Sequence, residues 1–404
     1  MPVRASLLLL ALLLLAPFTT HAQTAGNCFG PSATSDLDIG GVRARLYNNG
    51  GLFWKGAGNV YNVPKNALAS FPGPSAVFAQ GIWIGGYVGT ELRQAAATYG
   101  NWEFYPVPLD GNAQVPGGDC RAYDRIYNVS VRDVRTFEQT GQATRDLLEW
   151  PVDLGAPVVD GDGVPGNYNL YGGDRPELLG HQSAFWVMND AGGPHFRTGS
   201  KPLGLEVRVT AHAFRSPSDA LFYATVYRYT LINRGRLPIT ETYFGGFSDP
   251  DLGNATDDYI GSDTTLRMGY VYNADNFDEG SYGYDAAPPA LGWKILDGPP
   301  LHDDNRDGRL ETPGLTSFNY YNGGTCNNCD PRGYSEDYYK FLSARWQDGR
   351  RFYACGDGHA LQFASCGLTN WMFSGDPTAP AGQRFWSEFQ PTRTASTPNS
   401  PSDR

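Results

Sequence analysis

After its first residues the chain has no apolar run long enough to cross a bilayer, which takes about 20 residues, and its mean hydropathy is -0.40. It also lacks a basic surplus: 31 Lys and Arg stand against 42 Asp and Glu, giving a formal net charge of -11. Phosphate binding needs a Lys/Arg face, so a nucleic-acid partner is excluded. Common catalytic signatures are missing as well. No histidines stand in an HExxH spacing, Ser183 in HQSAF lacks the glycines of a GxSxG elbow, and no GxG run opens a helix able to cradle a phosphate. Helical periodicity is scarce. RTFEQTGQATRDLLEW (Arg135 to Trp150) is a weak candidate, and EDYYKFLSARW (Glu336 to Trp346) is a better one, with Tyr338, Phe341, Leu342, Arg345 and Trp346 at helical spacing in a stripe that reads as core packing.

What is present points first to a compartment. Residues 1–22 hold Arg4, an apolar run from Leu7 to Ala16 and small residues up to Ala22, which read as a cleaved export signal with Gln23 starting the mature chain and no transmembrane anchor remaining. Six cysteines follow: Cys28, Cys120, Cys326, Cys329, Cys355 and Cys366. An even count in an exported chain favours disulfides, with Cys326–Cys329 and Cys355–Cys366 the nearest pairs; the rival is a four-thiolate zinc site built from the last four, which has a CxxC on one side only. Acidity of this degree suits bound metal ions and a solvated surface.

Gly 50, Pro 29 and 13% aromatics together describe a loop-rich, aromatic-packed β protein. The fold expected is mainly β, with antiparallel β-sandwich-like sheets, long loops and one or two short helices. VRARLYNNGGLFW (Val42 to Trp54) reads as a hairpin, FAQGIWIGGYV (Phe78 to Val88) as a strand pair broken by glycines, and NWEFYPVPLDG (Asn101 to Gly111) as an edge segment because of Pro106 and Pro108. LGLEVRVTAHAFR (Leu203 to Arg215), FYATVYRYTLIN (Phe222 to Asn233) and ITETYFGGF (Ile239 to Phe247) alternate in period two and predict a three-strand meander. The organisation expected is an N-terminal β-rich unit over 23–155, a central antiparallel unit with acidic loops over 156–390, and a disordered tail over 391–404.

Three acidic stretches carry the chemistry. DPDLGNATDDYIGSD (Asp249 to Asp263) sets five carboxylates between two strand-like runs, and Asp249, Asp251 and Asp257 are its best metal ligands. Like charges so close repel unless a cation lies between them. VVDGDGVPGNYNLYGGD (Val158 to Asp174) offers Asp160 and Asp162 at i and i+2, with Val164 where a third oxygen is expected. DDNRDGRLETPG (Asp303 to Gly314) offers Asp303, Asn305, Asp307 and Glu311 at positions 1, 3, 5 and 9 of an EF-hand-type loop, with Gly308 at 6 but Gly314 in place of the bidentate acid at 12. Hard-oxygen loops of this kind hold Ca2+ structurally, fixing segments that bury too little apolar surface to order themselves; a solvated acidic turn is the plain alternative. His181, His195 and His212 read as hydrogen-bonded structural histidines.

RARLYNNGGLFW, GIWIGGYV with AAATYGNWEFYPVPLDG, VVDGDG with YGGDRPELLGHQSAFWVMND, KPLGLEVRVTAHAF, DPDLGNATDDYIGSDTTLRMGYVYNADN, and DYYKFLSARWQDG with WMFSGDP resemble, in this order, a family of secreted or cell-surface bacterial proteins of Bacteroidota and relatives that end in a type IX secretion sorting domain. The resemblance runs from about Val42 to Glu388 and implies export to the outer surface; it brings no catalytic residues with it. Two departures stand out. The family's DxNxDG loop is shortened here to Asp160-Gly161-Asp162-Gly163, and members continue past the final Asp-Arg pair into an apolar strand and the sorting domain. The sequence is therefore expected to be a fragment or a truncated product, periplasmic if the chain truly ends at Arg404.

The function these residues point to is a secreted or cell-surface, calcium-stabilised β protein that acts as a non-enzymatic binding or structural component and contacts an extracellular or cell-envelope ligand such as a glycan; surface rings among Trp54, Trp83, Trp102 and Tyr105 are candidates to stack on sugars, with core packing the plainer reading for most of them. The alternative is an extracellular hydrolase of polysaccharide or protein, although no signature selects the pair of carboxylates glycoside hydrolysis requires.

Overall fold

The computed structural model describes residues 28, 30–54, 60–65, 73–117, 120–218, 220–299, 312–321, 330–334, 336–354 and 367–373. The export signal, the 391–404 tail, the Asp303, Asn305, Asp307 and Glu311 set, and Cys326, Cys329, Cys355 and Cys366 lie outside those residues.

The fold is mainly β and antiparallel. In chain order β1 (Thr34–Leu37), β2 (Arg43–Tyr47), β3 (Gly51–Leu52), β4 (Tyr61–Asn62), β5 (Ala79–Val88) and β6 (Glu91–Ala96) come first. They are followed by β7 (Tyr105–Pro106), β8 (Tyr127–Ser130), the short strands β9 (Val158–Val159) and β10 (Arg175–Pro176), then the long strands β11 (Gln182–Asn189), β12 (Leu205–Ala213), β13 (Thr225–Asn233) and β14 (Ile239–Asp249). The described strands continue with β15 (Asp258–Asp263), β16 (Met268–Asn273), β17 (Phe277–Asp278), β18 (Asp285–Ala286) and β19 (Ala290–Lys294). Helices α1 (Val131–Thr140), α2 (Arg145–Leu148) and α3 (Asp337–Leu342) complete the frame.

Two principal sheets face each other. One runs β1-β2-β3-β5-β14, with β4 on β2 and β6 on β5; the other runs β13-β12-β11-β7, with β8 also on β11. Both draw strands from either side of residue 155, so the 23–155 and 156–390 stretches are interleaved. Ala44, Leu46, Ile82 and Ile84 of the first sheet pack against Ala184, Trp186, Met188, Val207, Val209 and Ala211 of the second in one buried cluster. The opposite faces of these sheets are also covered. Phe185 and Val187 of β11 turn outward to meet Phe137, Leu147 and Trp150 from the α1–α2 layer. Trp83 of β5 and Phe247 of β14 turn outward from the first sheet to meet Tyr338 and Phe341 of α3. A strand covered on both faces reads as continuous apolar sequence rather than as an alternation, which is why all eight residues of β11 are buried.

Local chemistry fixes the helices. Ser130 caps α1, accepting from the Asp133 N–H while the Asp133 carboxylate accepts from the Ser130 N–H at 2.7 Å, and Gly141 ends the helix in the left-handed region. The predicted stripe is core, with Tyr338, Phe341 and Trp346 all buried, but α3 ends at Leu342, Ala344 turns into the left-handed region, and Trp346 follows outside the helix.

Two expectations are corrected. Within Phe78 to Val88, Ala79–Val88 is one ten-residue strand, not a pair broken by glycine. A β-carbon at Gly85 would come 2.8 Å from the Tyr339 ring, and one at Gly81 would come 2.2 Å from the Ala97 carbonyl oxygen, so these glycines admit neighbours rather than bend the chain. The Ile239 strand does not complete a meander with β12 and β13. It crosses to the first sheet and pairs with β5 from Ile239↔Val88 to Asp249↔Ala79. Arg234, at the start of the crossing, is held by the buried Glu206 at 3.0 Å, and Phe244 then packs across the interior on Tyr229. The alternation of this segment specifies a half-buried strand but not the sheet it joins.

Buried charge ties the layers together. The Glu103 carboxylate accepts from the Ala96 N–H at 3.0 Å, the Arg197 N–H at 2.6 Å, the Thr198 N–H at 3.1 Å and the Thr198 hydroxyl at 2.8 Å. Asp190 accepts from the Leu203, Gly204 and Leu205 N–H groups, and His195 lies between the carbonyl oxygens of Gln94 and Asp190. A disulfide joins Cys28 to Cys120, securing the start of the chain to the turn before β8.

Candidate metal centre

The Val158 to Asp174 stretch folds into a closed acidic loop. Its base is the two-residue ladder β9–β10, in which Val159 pairs with Arg175. Asp160 and Asp174 are the next residues inward on the two strands, so the ladder brings together carboxylates fourteen positions apart. The turn then folds Asp162 back. Asp174 accepts from the Gly161 N–H at 2.9 Å, the Asp162 N–H at 3.3 Å and the Asn169 N–H at 2.7 Å. Asp160 accepts from the Gly163 N–H at 2.6 Å, and Asp162 from the Val164 N–H at 2.9 Å and the side-chain amides of Asn167 and Asn169 at 3.1 and 3.2 Å. A β-carbon on Gly161 would lie 2.2 Å from the Gly173 carbonyl oxygen, so this crossing admits glycine alone.

One oxygen from each of Asp160, Asp162 and Asp174 falls within 4.8 Å of the others, and this is the one such group of three or more His, Cys, Asp or Glu among the described residues. Asp174 is buried while Asp160 is exposed, so the cluster is walled by protein on one side and open on the other. The amide of Asn167, joined by the Val164 N–H, holds the Asp162 carboxyl below its ordinary range and therefore ionised. The neighbouring Arg175 guanidinium turns away to the carbonyl oxygens of Leu170 and Asp174. The loop is anchored by Leu170 in the α1–α2 core and by the Tyr168 hydroxyl, which donates to the Leu147 carbonyl at 2.7 Å. A hard cation suits this donor set of oxygens with no nitrogen or sulfur ligand.

Of the sequence-derived residues, Asp160 and Asp162 thus come together, joined by Asp174. Val164, where a third oxygen ligand was expected, contributes its N–H and exposes its side chain. The Asp249 to Asp263 stretch is not one loop. Asp249 ends β14 and accepts from the Tyr99 hydroxyl at 2.8 Å, Asp251 lies in the following turn, Asp257 closes a short 3-10 turn, and Asp258 opens β15. The acids here gather around Asp258 rather than Asp249. Burial, followed by the charges of Asp257, Asp278 and Asp251, pushes the Asp258 carboxyl up to about 8, and burial with neighbouring acids pushes Asp257 and Asp278 up as well. Asp278 is the second residue of the two-residue strand β17.

The histidines are hydrogen-bonded within the scaffold. His212 meets the Ser183 hydroxyl at 2.7 Å across the β11–β12 ladder, with both side chains buried and out of reach of a substrate. His181 accepts from the Arg215 N–H at 3.2 Å. Among the four candidate stacking rings, Trp83 and Tyr105 are core, Trp54 is half-buried, and Trp102 reaches the surface beside an exposed Phe196, their ring centres 5.8 Å apart.

The fold and site together define an antiparallel protein built on two principal sheets, with the smaller sheet β15-β16-β19 beside them, sandwich-like in its layering and carrying an acidic loop cluster at its surface. Comparison with protein-family models, with curated proteins and with solved structures finds no match to this chain.

Proposed function

We propose that the protein is a secreted or cell-surface β scaffold of the type IX-exported kind, held by structural calcium and serving as a non-enzymatic binding or structural component of the extracellular surface. The observation that carries this reading is the convergence of Asp160, Asp162 and Asp174 in a loop whose residues from Gly161 to Gly166 have no buried side chain. Three carboxylates held by backbone N–H groups, with no Lys or Arg among their bonded partners, gain most from a divalent ion that neutralises them and closes the loop. The Cys28–Cys120 disulfide fits an oxidising compartment, where millimolar calcium is also common. The exposed Trp102–Phe196 pair supports a glycan as the ligand, because apolar sugar faces stack on such rings. The test is a thermal melt of the secreted protein in EGTA and in calcium: the midpoint should rise with calcium in the wild type, by less in Asp162→Asn, and a melt unmoved by EGTA would sink the reading.

A further inference from the structure

A second group of oxygens, away from the triad, has more acceptors than donors. Asp258 and Asn273 are a register pair at the end of the β15–β16 ladder. Directly opposed residues of an antiparallel pair put their side chains on the same face, with β-carbons about 5 Å apart. The Asn273 amide nitrogen donates to the Asp257 carboxylate at 3.0 Å and to the Phe277 carbonyl at 3.2 Å, which fixes the amide with its oxygen turned the other way. The three side chains are therefore mutual neighbours. Asp258 Oδ2 accepts from the Leu252 N–H at 2.8 Å, but Asp258 Oδ1, Asn273 Oδ1 and Asp257 Oδ1 are each buried and receive no hydrogen bond. Asp258 and Asn273 are both 6% exposed.

The surroundings deepen the excess. Asp278, fully buried, accepts from the N–H groups of Asn254 at 3.1 Å and Tyr284 at 2.7 Å, and a β-carbon at Gly253 would strike its Oδ2, so the Asp251–Asn254 turn lies directly over this carboxylate. The Tyr284 hydroxyl, also buried and unbonded, feels both Asp278 and Asp258. One water has two hydrogens and no net charge, so it can neither satisfy three such oxygens nor relieve their mutual repulsion; a cation does both.

We propose that Asp257, Asp258 and Asn273 form a second calcium site, with Asp251 and Asp278 supplying the surrounding negative field. Its ligands are side-chain oxygens on two neighbouring strands and one turn, so an ion there joins the 3-10 turn before β15 to the paired ends of β15 and β16, and through the Leu252 N–H bond to Asp258 it steadies the turn after β14. This inference rests on the reading that the chain works where calcium is plentiful, but not on the Asp160–Asp162–Asp174 cluster.

Calcium binding to the full chain, followed by titration calorimetry on the wild type, Asp162→Asn and Asp258→Asn, separates the two. Each variant should lose one equivalent, and a different one. Asp258→Asn keeps the shape of the carboxyl without a group that can ionise, so in EGTA it should melt no lower than the wild type, while its calcium-induced rise should shrink. An unchanged stoichiometry and affinity in Asp258→Asn would overturn this site and leave the first standing; an unchanged Asp162→Asn beside a deficient Asp258→Asn would do the reverse. Should Asp258→Asn fail to fold, amide exchange of the wild type decides: calcium should slow the Leu252 and Asn254 amides at least tenfold against EGTA, and equal rates in both would overturn the site.

Discussion

Stability of the calcium-free protein should fall as pH rises from 6.5 to 8, against the usual expectation of a broad neutral optimum. Two buried groups set the profile. Asp258 holds its proton up to about 8 in the folded chain but releases it near 3.8 once unfolded, so between those values the folded state binds more protons and the stability it contributes is lost as pH rises. His212 has the opposite sense. Burial, with a contribution from Arg228, keeps it neutral down to about 4, whereas the unfolded imidazole protonates near 6.5, so its contribution is complete above 6.5 and is lost as pH falls toward 4. Each slope reaches about 1.4 kcal/mol per pH unit, so the two offset one another between pH 4 and 6.5. Above 6.5 only the Asp258 slope survives, taking away about 2 kcal/mol by pH 8, or a few degrees in Tm for a chain of this size. The raised Asp257 and Asp278 carboxyls act in the same direction. Calcium binds the ionised form and should abolish the fall. Calorimetric melts at four pH values, in EGTA and in calcium, test this directly. A calcium-free Tm that is flat or rising from 6.5 to 8, or a fall that survives unchanged in Asp258→Asn, would refute the reasoning.

Other perturbations probe the scaffold and the loop separately. Glu103→Ala leaves the buried N–H groups of Ala96, Arg197 and Thr198 without their acceptor and should cost about 3–5 kcal/mol in denaturant unfolding; a loss under 1 kcal/mol would show that this carboxylate is not the tie between layers. Replacing both Cys28 and Cys120 by Ser opens a crosslink with a sequence separation of 92, and the chain-entropy model gives a loss of about 4–5 kcal/mol, readable as a shift in the urea midpoint that reduction of the wild type should match in direction. Gly161→Ala keeps every acid of the triad but drives a β-carbon into the Gly173 carbonyl, so the melt in EGTA should fall and calcium affinity there should fall by about tenfold or more; an unchanged affinity would mean that charge alone, without the loop geometry, holds the ion.

Much of the fold was legible because burial of one face leaves a period-two trace. Leu205 to Ala213 and Thr225 to Asn233 alternate as strands and are strands, and Tyr338 and Phe341 of the predicted stripe form the inner face of α3. What was hidden is partner choice. Backbone pairing leaves no mark on the strand that offers it, so nothing in Ile239 to Asp249 distinguishes β13 from β5 as its neighbour. The glycines of β5 pointed the wrong way for the same reason: at Gly85 the missing side chain makes room for Tyr339, more than 250 positions later, and only the packed structure shows what fills that room.

The acidic sites divide along the same line. Asp160 and Asp162 were legible because a local i, i+2 repeat was all the signal required, whereas Asp174 needed a two-residue ladder too short to announce itself in sequence. In the Asp249 stretch the five acids do not share one extended face. Alternation along an extended segment favours Asp249 with Asp251, but β14 ends at Asp249, whose carboxylate is taken by Tyr99, and the chain turns before Asp251 can share its face. The burden then falls on Asp258, which cross-strand pairing sets beside Asn273 and which the turn after β14 covers with Leu252. A carboxyl placed there is held as a neutral acid by burial and its neighbours; at the proposed calcium site it would be an anion, and the same residue would then couple proton and calcium. Acidic loops that read alike in sequence can therefore differ in kind: the triad carboxylates accept from backbone N–H donors, while the Asp258 group is short of donors.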